Sequence, residues 1–429
     1  MRFTSILRLF LMSSQYSKYF DFVGKKGIII RNDVLDPDAY MPPVLIGRDE
    51  QIRDITYLMK PIFEADAPNN ALIFGPTGCG KTATSKYALT GLKEMLLEHP
   101  INMNVEWVCI SCKEVNTKTG ILYKLIKFVD YNTKIRRSGH STDYYYDALY
   151  DAMNEKNTAL IVILDEIDIL DPNSKDILYS FSRSISNGKF TGKQFIRIIG
   201  ISNSRSFENK LDPRILSSVG FEKFRFPSYN TDNIYHILKD RIDLAFTPNS
   251  IDDDTVLECA NDSAKTGGDI RKALYVLQAA AKMAELEGSE VIDIRYIKDA
   301  EVKVQDDDVI KSVITLPLHY RLILLSIVKL MSDNKAPNTG EVTSLYEKLC
   351  AEMGETKSPR QTISGWISVL EMQNYINSVP VNLGRKGGKT RLLSVPQESY
   401  KLTKKALYGD YQLEKACEYR PKKEDLNVV

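Results

Sequence analysis

GPTGCGKT, residues 75–82, is the stretch that decides how this 429-residue chain reads. It matches G-x-x-x-x-G-K-[ST] at Gly75, Gly80, Lys81 and Thr82, with Pro76, Thr77, Gly78 and Cys79 between. Such a loop turns its backbone N–H groups toward phosphate oxygens, and glycine permits that geometry. Lys81 is expected at the β- and γ-phosphates of a nucleotide and Thr82 on Mg2+. A helix starting near Lys81 should point its positive end at the anion. The apolar ALIF, residues 71–74, reads as the strand that must precede the loop.

Working outward, ALIVIL (159–164) is apolar throughout, the mark of a strand buried on both faces. LDEID (164–168) follows, and carboxylates at such a strand end are where ligands bind in open α/β sheets. Asp165 is expected to hold the Mg2+ shell and Glu166 to activate a water, so hydrolysis is favoured over transfer to a hydroxyl acceptor. Asn203 closes a further strand, FIRIIGIS (195–202), and is placed to position that water or sense the γ-phosphate. Arg214, in LDPRILSS, is a candidate arginine finger. Arg271 follows GGD at a helix start and is a candidate γ-phosphate sensor from a second domain. VEWVCI (105–110) supplies another strand.

The alternation of strands and helical patterns predicts an α/β P-loop domain with a parallel sheet over 43–227, preceded by an N-terminal extension and lead-in (1–42). A small helical domain is expected over 228–312 and a winged helix over 313–400. A charged tail (401–429) is expected to fray. The triple Asp in QDDDVI (305–310) reads as a solvated helix start. Hydrophobic residues are 43% and charged residues 26% of the chain, with 57 basic against 56 acidic. That balance provides no global positive field, so a nucleic-acid partner needs a local patch. Six cysteines make no disulfide framework, and no segment approaches the 18 apolar residues of a membrane span. MRFTSILRLFLMSSQ has a faint signal-peptide look, but Arg8 breaks its apolar stretch.

The local patch lies near the C-terminus. In SPRQTISGWISVLEMQ, Ile363, Trp366, Ile367 and Leu370 form one apolar stripe at helical spacing. The opposite face carries Arg360, Gln361, Ser364, Gly365 and Ser368, short or amide side chains suited to a major groove, with Gln361 able to read adenine. A glycine-rich hairpin then presents Arg385, Lys386, Lys389 and Arg391. From 357 to 391 there are six basic residues against one acidic.

Taken together, the loop, LDEID, the strand-end Asn, DPRILSSVGFEKFRFP, GGDIRKAL and the lead-in LIGRDEQIRDI resemble the AAA+ ATPases. More narrowly, with the winged-helix ending, they resemble the archaeal origin-recognition and cell-division-control initiators over roughly residues 28–400. The resemblance implies an ATP/ADP switch with weak ATPase activity that binds double-stranded origin DNA. It also implies homologous initiator subunits on that DNA, recruitment of the replicative minichromosome maintenance helicase, and a nucleoid-associated cytoplasmic protein with no membrane. The family's roles carry to Lys81, Thr82, Asp165, Glu166, Asn203, Arg214 and Arg271. A helical insertion that touches DNA is implied near YNTKIRRSGHSTDYYY, making Lys134, Arg136 and Arg137 candidates, with a plain surface loop as the alternative. Two departures stand out: residue 204 is Ser where an acidic residue is expected, and the first dozen residues match nothing familiar. A nucleotide-gated repressor on the same fold and a clamp-loader-type ATPase are the alternative functions.

Other features are set aside. Cys109 and Cys112 form one C-x-x-C with no second pair, which reads as buried core thiols. Cys79 sits near a helix N-terminus, a position that lowers a thiol pKa.

Overall fold

The computed structural model describes residues 27–420, except residues 38, 205, 332–335 and 383–388 and the side chain of Lys389. It forms two compact units, divided between Lys298 and Asp299.

The first unit is built on a five-stranded parallel sheet: β1 (Ala71–Phe74), β2 (Asn104–Ser111), β3 (Thr158–Asp165), β4 (Ile196–Ser202) and β5 (Glu222–Arg225), in the order β2-β3-β4-β1-β5. β3 is an interior strand between β2 and β4, and its side chains alternate between two cores. Leu160, Val162 and Leu164 enter one, Ala159, Ile161 and Ile163 the other. That two-sided burial is why the strand lacks a polar alternation. β5 escapes the sequence reading because EKFR buries only Phe224, at the sheet edge.

Helices α1 (Asp49–Leu58), α2 (Lys81–Glu98), α3 (Lys118–Val129), α4 (Thr142–Glu155), α5 (Asp176–Ser182) and α6 (Pro213–Val219) belong to this sheet domain. The run Tyr144–Tyr146 lies in the first turn of α4, which Ser141 caps. A helical domain follows, with α7 (Thr231–Ala245), α8 (Asp253–Lys265) and α9 (Ile270–Leu286). The chain ahead of the sheet is strapped onto this domain. Ile30 N donates to Ala245 O at 2.7 Å, and Val34 and Leu35 are buried.

The next helix, α10 (Ile294–Ile314), runs through the boundary between the units and contains the Asp306–Asp308 run in its interior. The triple Asp is therefore not a helix start. Such a run can sit mid-helix because that stretch keeps a solvated face: Asp307 and Asp308 are exposed and Asp306 is half-buried.

In the second unit, α11 (Leu318–Leu330), α12 (Thr339–Met353) and α13 (Arg360–Met372) precede an antiparallel hairpin of β6 (Asn377–Asn382) and β7 (Lys389–Ser394). Asn338 closes a capping box at the start of α12. Ile363, Ile367 and Leu370 are fully buried on the predicted stripe of α13, and Trp366 stacks on His319 with ring centroids 5.1 Å apart. The expectation of a fraying tail fails for residues 401–420. Helices α14 (Gln397–Tyr408) and α15 (Glu414–Glu418), with the 3-10 turn Tyr411–Leu413 between them, bury Ala406, Leu407, Leu413 and Ala416 in the core of this unit. Buried Arg321 on α11 donates to Asp410 and, at 2.7 Å, to Gln412 Oε1, so the segment is held by a charge pair as well as by packing.

Candidate functional site

β4 lies between β1 and β3, so the loop after β1, the carboxylates after β3 and the residue ending β4 meet at one edge of the sheet. They line a cleft of about 690 Å³ together with residues of the lead-in and the helical domain. Gly78 and Gly80 hold φ of 66° and 80°. A Cβ on Gly78 would lie 1.8 Å from Asp269 Oδ1, so only glycine fits between the loop and α9. No side chain caps the N-terminus of α2, which leaves its first N–H groups for an anion.

Lys81 is 6% exposed. Its Nζ donates to Gly75 O at 2.9 Å, Pro76 O at 2.6 Å and Asn203 Oδ1 at 2.9 Å. Burial pushes its pKa down from the ordinary lysine value, against the pull of Cys79 and Asp165. Thr82 Oγ1 donates to Asp165 Oδ2 at 2.8 Å, so the two oxygen ligands available to a small hard cation are already adjacent. Glu166 adopts a left-handed conformation (φ 54°, ψ 45°), an uncommon backbone for a non-glycine residue and one found at functional sites. Its N–H donates to Asp165 Oδ1 at 3.0 Å, and Glu166 lines the cleft.

Asp168, the last residue of LDEID, was not singled out by the sequence reading. It accepts from Ser202 Oγ at 2.8 Å and from Asn203 N at 3.1 Å, and so fixes the end of β4. Ser204, at the departing position, donates its N–H to the same Ser202 Oγ at 2.9 Å. Arg271, the second residue of α9, lines the cleft, and Asp269 caps that helix by accepting from Arg271 N at 3.0 Å. The positive charge of Arg271 also contributes to the lowering of the Lys81 pKa. Arg214 is exposed in the first turn of α6, capped by Asp212, and is not among the described residues lining the cleft.

The sequence reading also missed the far wall. Tyr40, Val44 and Leu45 of the lead-in and Ile237, Arg241 and Leu274 of the helical domain also line the cleft. Arg241 packs over the Tyr40 ring at 4.3 Å and donates to Val34 O at 3.2 Å. Nothing in an amphipathic helix marks one arginine as buried. Cys79 corrects the expectation of a lowered thiol pKa: burial pushes it up, and Lys81 and Arg48 only partly offset this. Burial, followed by the charges of Asp165 and Glu166, pushes Cys112 up to about 12. Among the described residues no cluster of His, Cys, Asp and Glu could hold a metal by itself. No single helix among them is long and apolar enough to cross a membrane.

In the second unit, Arg360, Gln361, Ser364, Gly365 and Ser368 are exposed together on α13. Ser368 Oγ donates to Ser364 O at 3.1 Å. Arg391, on β7, donates to Ser368 Oγ at 3.3 Å and Glu371 Oε2 at 3.2 Å, so it ties the hairpin to α13. Arg385 and Lys386 lie outside the described residues. Of Lys389 the backbone is described, paired with Asn382. In the first unit, Lys134, Arg136 and Arg137 are exposed in the stretch joining α3 to α4. Tyr145 Oη fixes that stretch by donating to Arg136 O at 2.8 Å.

Known proteins resemble this chain in sequence and fold. Residues 65–201 match the family model of an AAA domain, 235–302 that of the Cdc6 AAA+ ATPase-type lid domain, and 311–405 that of the CDC6 C-terminal winged helix domain. The ORC1-type DNA replication protein 1 of Archaeoglobus fulgidus is 34% identical over 395 residues, 92% of this chain and 94% of that protein. The structure of the Aeropyrum pernix ORC1 protein in complex with DNA matches with a TM-score of 0.78 at 30% identity, over 91% of this chain and 100% of that one. The Aeropyrum pernix ORC2 protein in its ADPNP–ADP complexes matches with a TM-score of 0.60 at 18% identity, over 90% of this chain and 100% of that one, and shares the fold.

Proposed function

The chain belongs to the family of ORC1-type DNA replication proteins, and from that premise we propose that it is a nucleotide-switched replication initiator. In this reading an ATPase core (43–227) and lid (228–312) bind ATP or ADP with Mg2+. A winged helix from 313 onward binds double-stranded origin DNA, and the assembled protein recruits the minichromosome maintenance helicase. It acts among homologous initiator subunits, in the nucleoid of the cytoplasm. The DNA complex of the Aeropyrum pernix relative supports the DNA partner.

One observation carries the nucleotide half: Lys81, Thr82, Asp165, Glu166, Asn203 and Arg271 come from four separate chain segments to one cleft. Bound MgATP would supply a phosphoanhydride bond and a Lewis-acidic cation. Lys81, bonded to the carbonyls of its own loop, would be the donor for phosphate oxygens, and Thr82 with Asp165 would hold the cation. Glu166 takes the proton of the attacking water, and Asn203, held by Asp168, orients that water. Arg271 brings the lid into the same site, which makes lid position depend on the phosphate chain. Arg214, exposed outside its own cleft, acts on the nucleotide of a neighbouring subunit, so the isolated protein hydrolyses ATP slowly.

Footprinting on genomic DNA with ATP, with ADP and without nucleotide, followed by pull-down of the replicative helicase, tests the reading. Protection of discrete sites together with helicase capture is expected. Discrete protection with no capture would favour the repressor alternative, and uniform protection would favour the clamp-loader class.

A further inference from the structure

Arg48, in the lead-in, is 2% exposed and sits at the N-cap position of α1 without a side-chain capping bond. Its guanidinium donates to three backbone carbonyls from three chain segments. Nε reaches Cys79 O at 2.9 Å, Nη1 reaches Gly47 O at 2.8 Å, and Nη2 reaches Pro227 O at 2.9 Å. The group lies 3.8 Å from the Tyr229 ring centroid and 5.6 Å from that of Phe226. Among the described residues no carboxylate lies within ion-pair distance of it. A buried, unpaired charge is costly unless its donors are satisfied. Carbonyls and ring faces meet that need here, and a planar fork can hold all three segments at once where an ammonium cannot.

The bond to Cys79 has a directional consequence. A trans peptide points its C=O and N–H to opposite sides. Fixing Cys79 O toward Arg48 therefore aims the Gly80 N–H away from it, toward the cleft that Gly80 lines. The bond to Pro227 attaches the same group to residues 226–230, the junction between β5 and α7. Tyr229 extends the contact in both directions. Its Oη stands 2.6 Å from where a Cβ on Gly80 would sit, and its carbonyl 2.6 Å from where a Cβ on Gly268 would sit. Gly268 directly precedes Asp269, the cap of the helix that carries Arg271.

We propose that Arg48 is a positioning residue that holds the phosphate loop in its anion-binding conformation and transmits the state of that loop to the core–lid junction and so to α9. The proposal rests on the nucleotide-binding reading above. Its test uses the full chain, with Arg48→Lys as the variant that keeps the charge and loses the fork. ADP titration with Mg2+ measures affinity, and hydrogen exchange at 226–230 and 268–272 measures the junction. The expected result is a Kd for ADP at least tenfold higher, with loss of the ADP-induced slowing of exchange at both segments. A role confined to stability would lower the melting temperature and leave both readouts at wild-type values, and that result would overturn the proposal. Should Arg48→Lys not fold, Tyr229→Leu keeps all three carbonyl bonds and removes the ring face that couples Arg48 to the junction, and it should lose the ADP-induced slowing of exchange at both segments; slowing at wild-type level in that variant would overturn the proposal. If the wild type itself binds no ADP, the nucleotide reading falls instead.

Discussion

In the proposed function the nucleotide cleft and the exposed face of α13 are both binding surfaces, and they are built on opposite plans. In the cleft, functional side chains are bonded before any ligand arrives: Lys81 to two carbonyls and Asn203, Thr82 to Asp165, Asn203 to Asp168. On α13, Arg360, Gln361 and Ser364 stand in solvent above a buried apolar stripe. A small polyanion has one shape, and donors fixed in advance around it need little reorganisation when it binds or reacts. A groove of base edges varies along its length, and solvated side chains on a rigid helix suit a partner that must be sampled. Single substitutions should therefore cost much in the cleft and modest amounts on the helix.

The largest effect is expected at Glu166. Glu166→Gln should lower turnover by about 10²–10⁴ and leave nucleotide affinity within a few-fold of wild type. Lys81→Ala should instead weaken binding about a hundredfold or more, because it removes a buried donor to several acceptors at once. Calorimetry with ADP and a single-turnover assay separate the two. If Glu166→Gln lost affinity as Lys81→Ala does, the cleft would not divide into binding and chemical parts.

On the helix, Gln361→Ala should cost about 1–3 kcal/mol on a preferred duplex and little on random DNA. Equal losses on both would show that this face contacts phosphate and not bases. Glu371 sharpens the contrast from the other side, because it restrains a charge: it accepts from Ser378 Oγ at 2.7 Å and from Arg391. Glu371→Gln should release Arg391 and steepen the log–log salt dependence on random duplex by about one unit. An unchanged slope would mean that Arg391 is only a strut between hairpin and helix.

The smallest effect is expected at Gly365, mid-helix on the exposed face, where an added Cβ would meet nothing within 4 Å. Gly365→Ala should stabilise the unit by about 0.5–1 kcal/mol and weaken duplex binding severalfold, read by denaturant melts and DNA titration. Stabilisation without loss of binding would leave this glycine with no role in close approach.

The parts of the site that were legible in the sequence are those at strand ends. Lys81, Asp165 and Asn203 each follow an apolar run whose β character is plain, so their meeting follows from the topology of a parallel sheet. Arg48, Asp168, Tyr229 and Arg241 were not legible, since each acts through a contact with a distant backbone group or ring. The same physics hid β5 and the C-terminal helices. Phe224 is the one buried residue of its strand, and Ala406, Leu407, Leu413 and Ala416 are spaced among charges that cover their outer faces. Arg391 was legible as basic but not as restrained, because its partner Glu371 stands twenty residues away.

The stacking of Trp366 on His319 gives the molecule an optical property. The chain holds two tryptophans, and one falls in each compact unit: Trp107 on β2, beside the sheet core, and Trp366 beneath the exposed face of α13. The emission of Trp366 therefore comes from an indole stacked on a ring in the core of its own unit, while Trp107 reports on the sheet. Excitation at one wavelength thus addresses both halves of the protein, and Trp107→Phe leaves a single emitter on the helix that would lie in the groove.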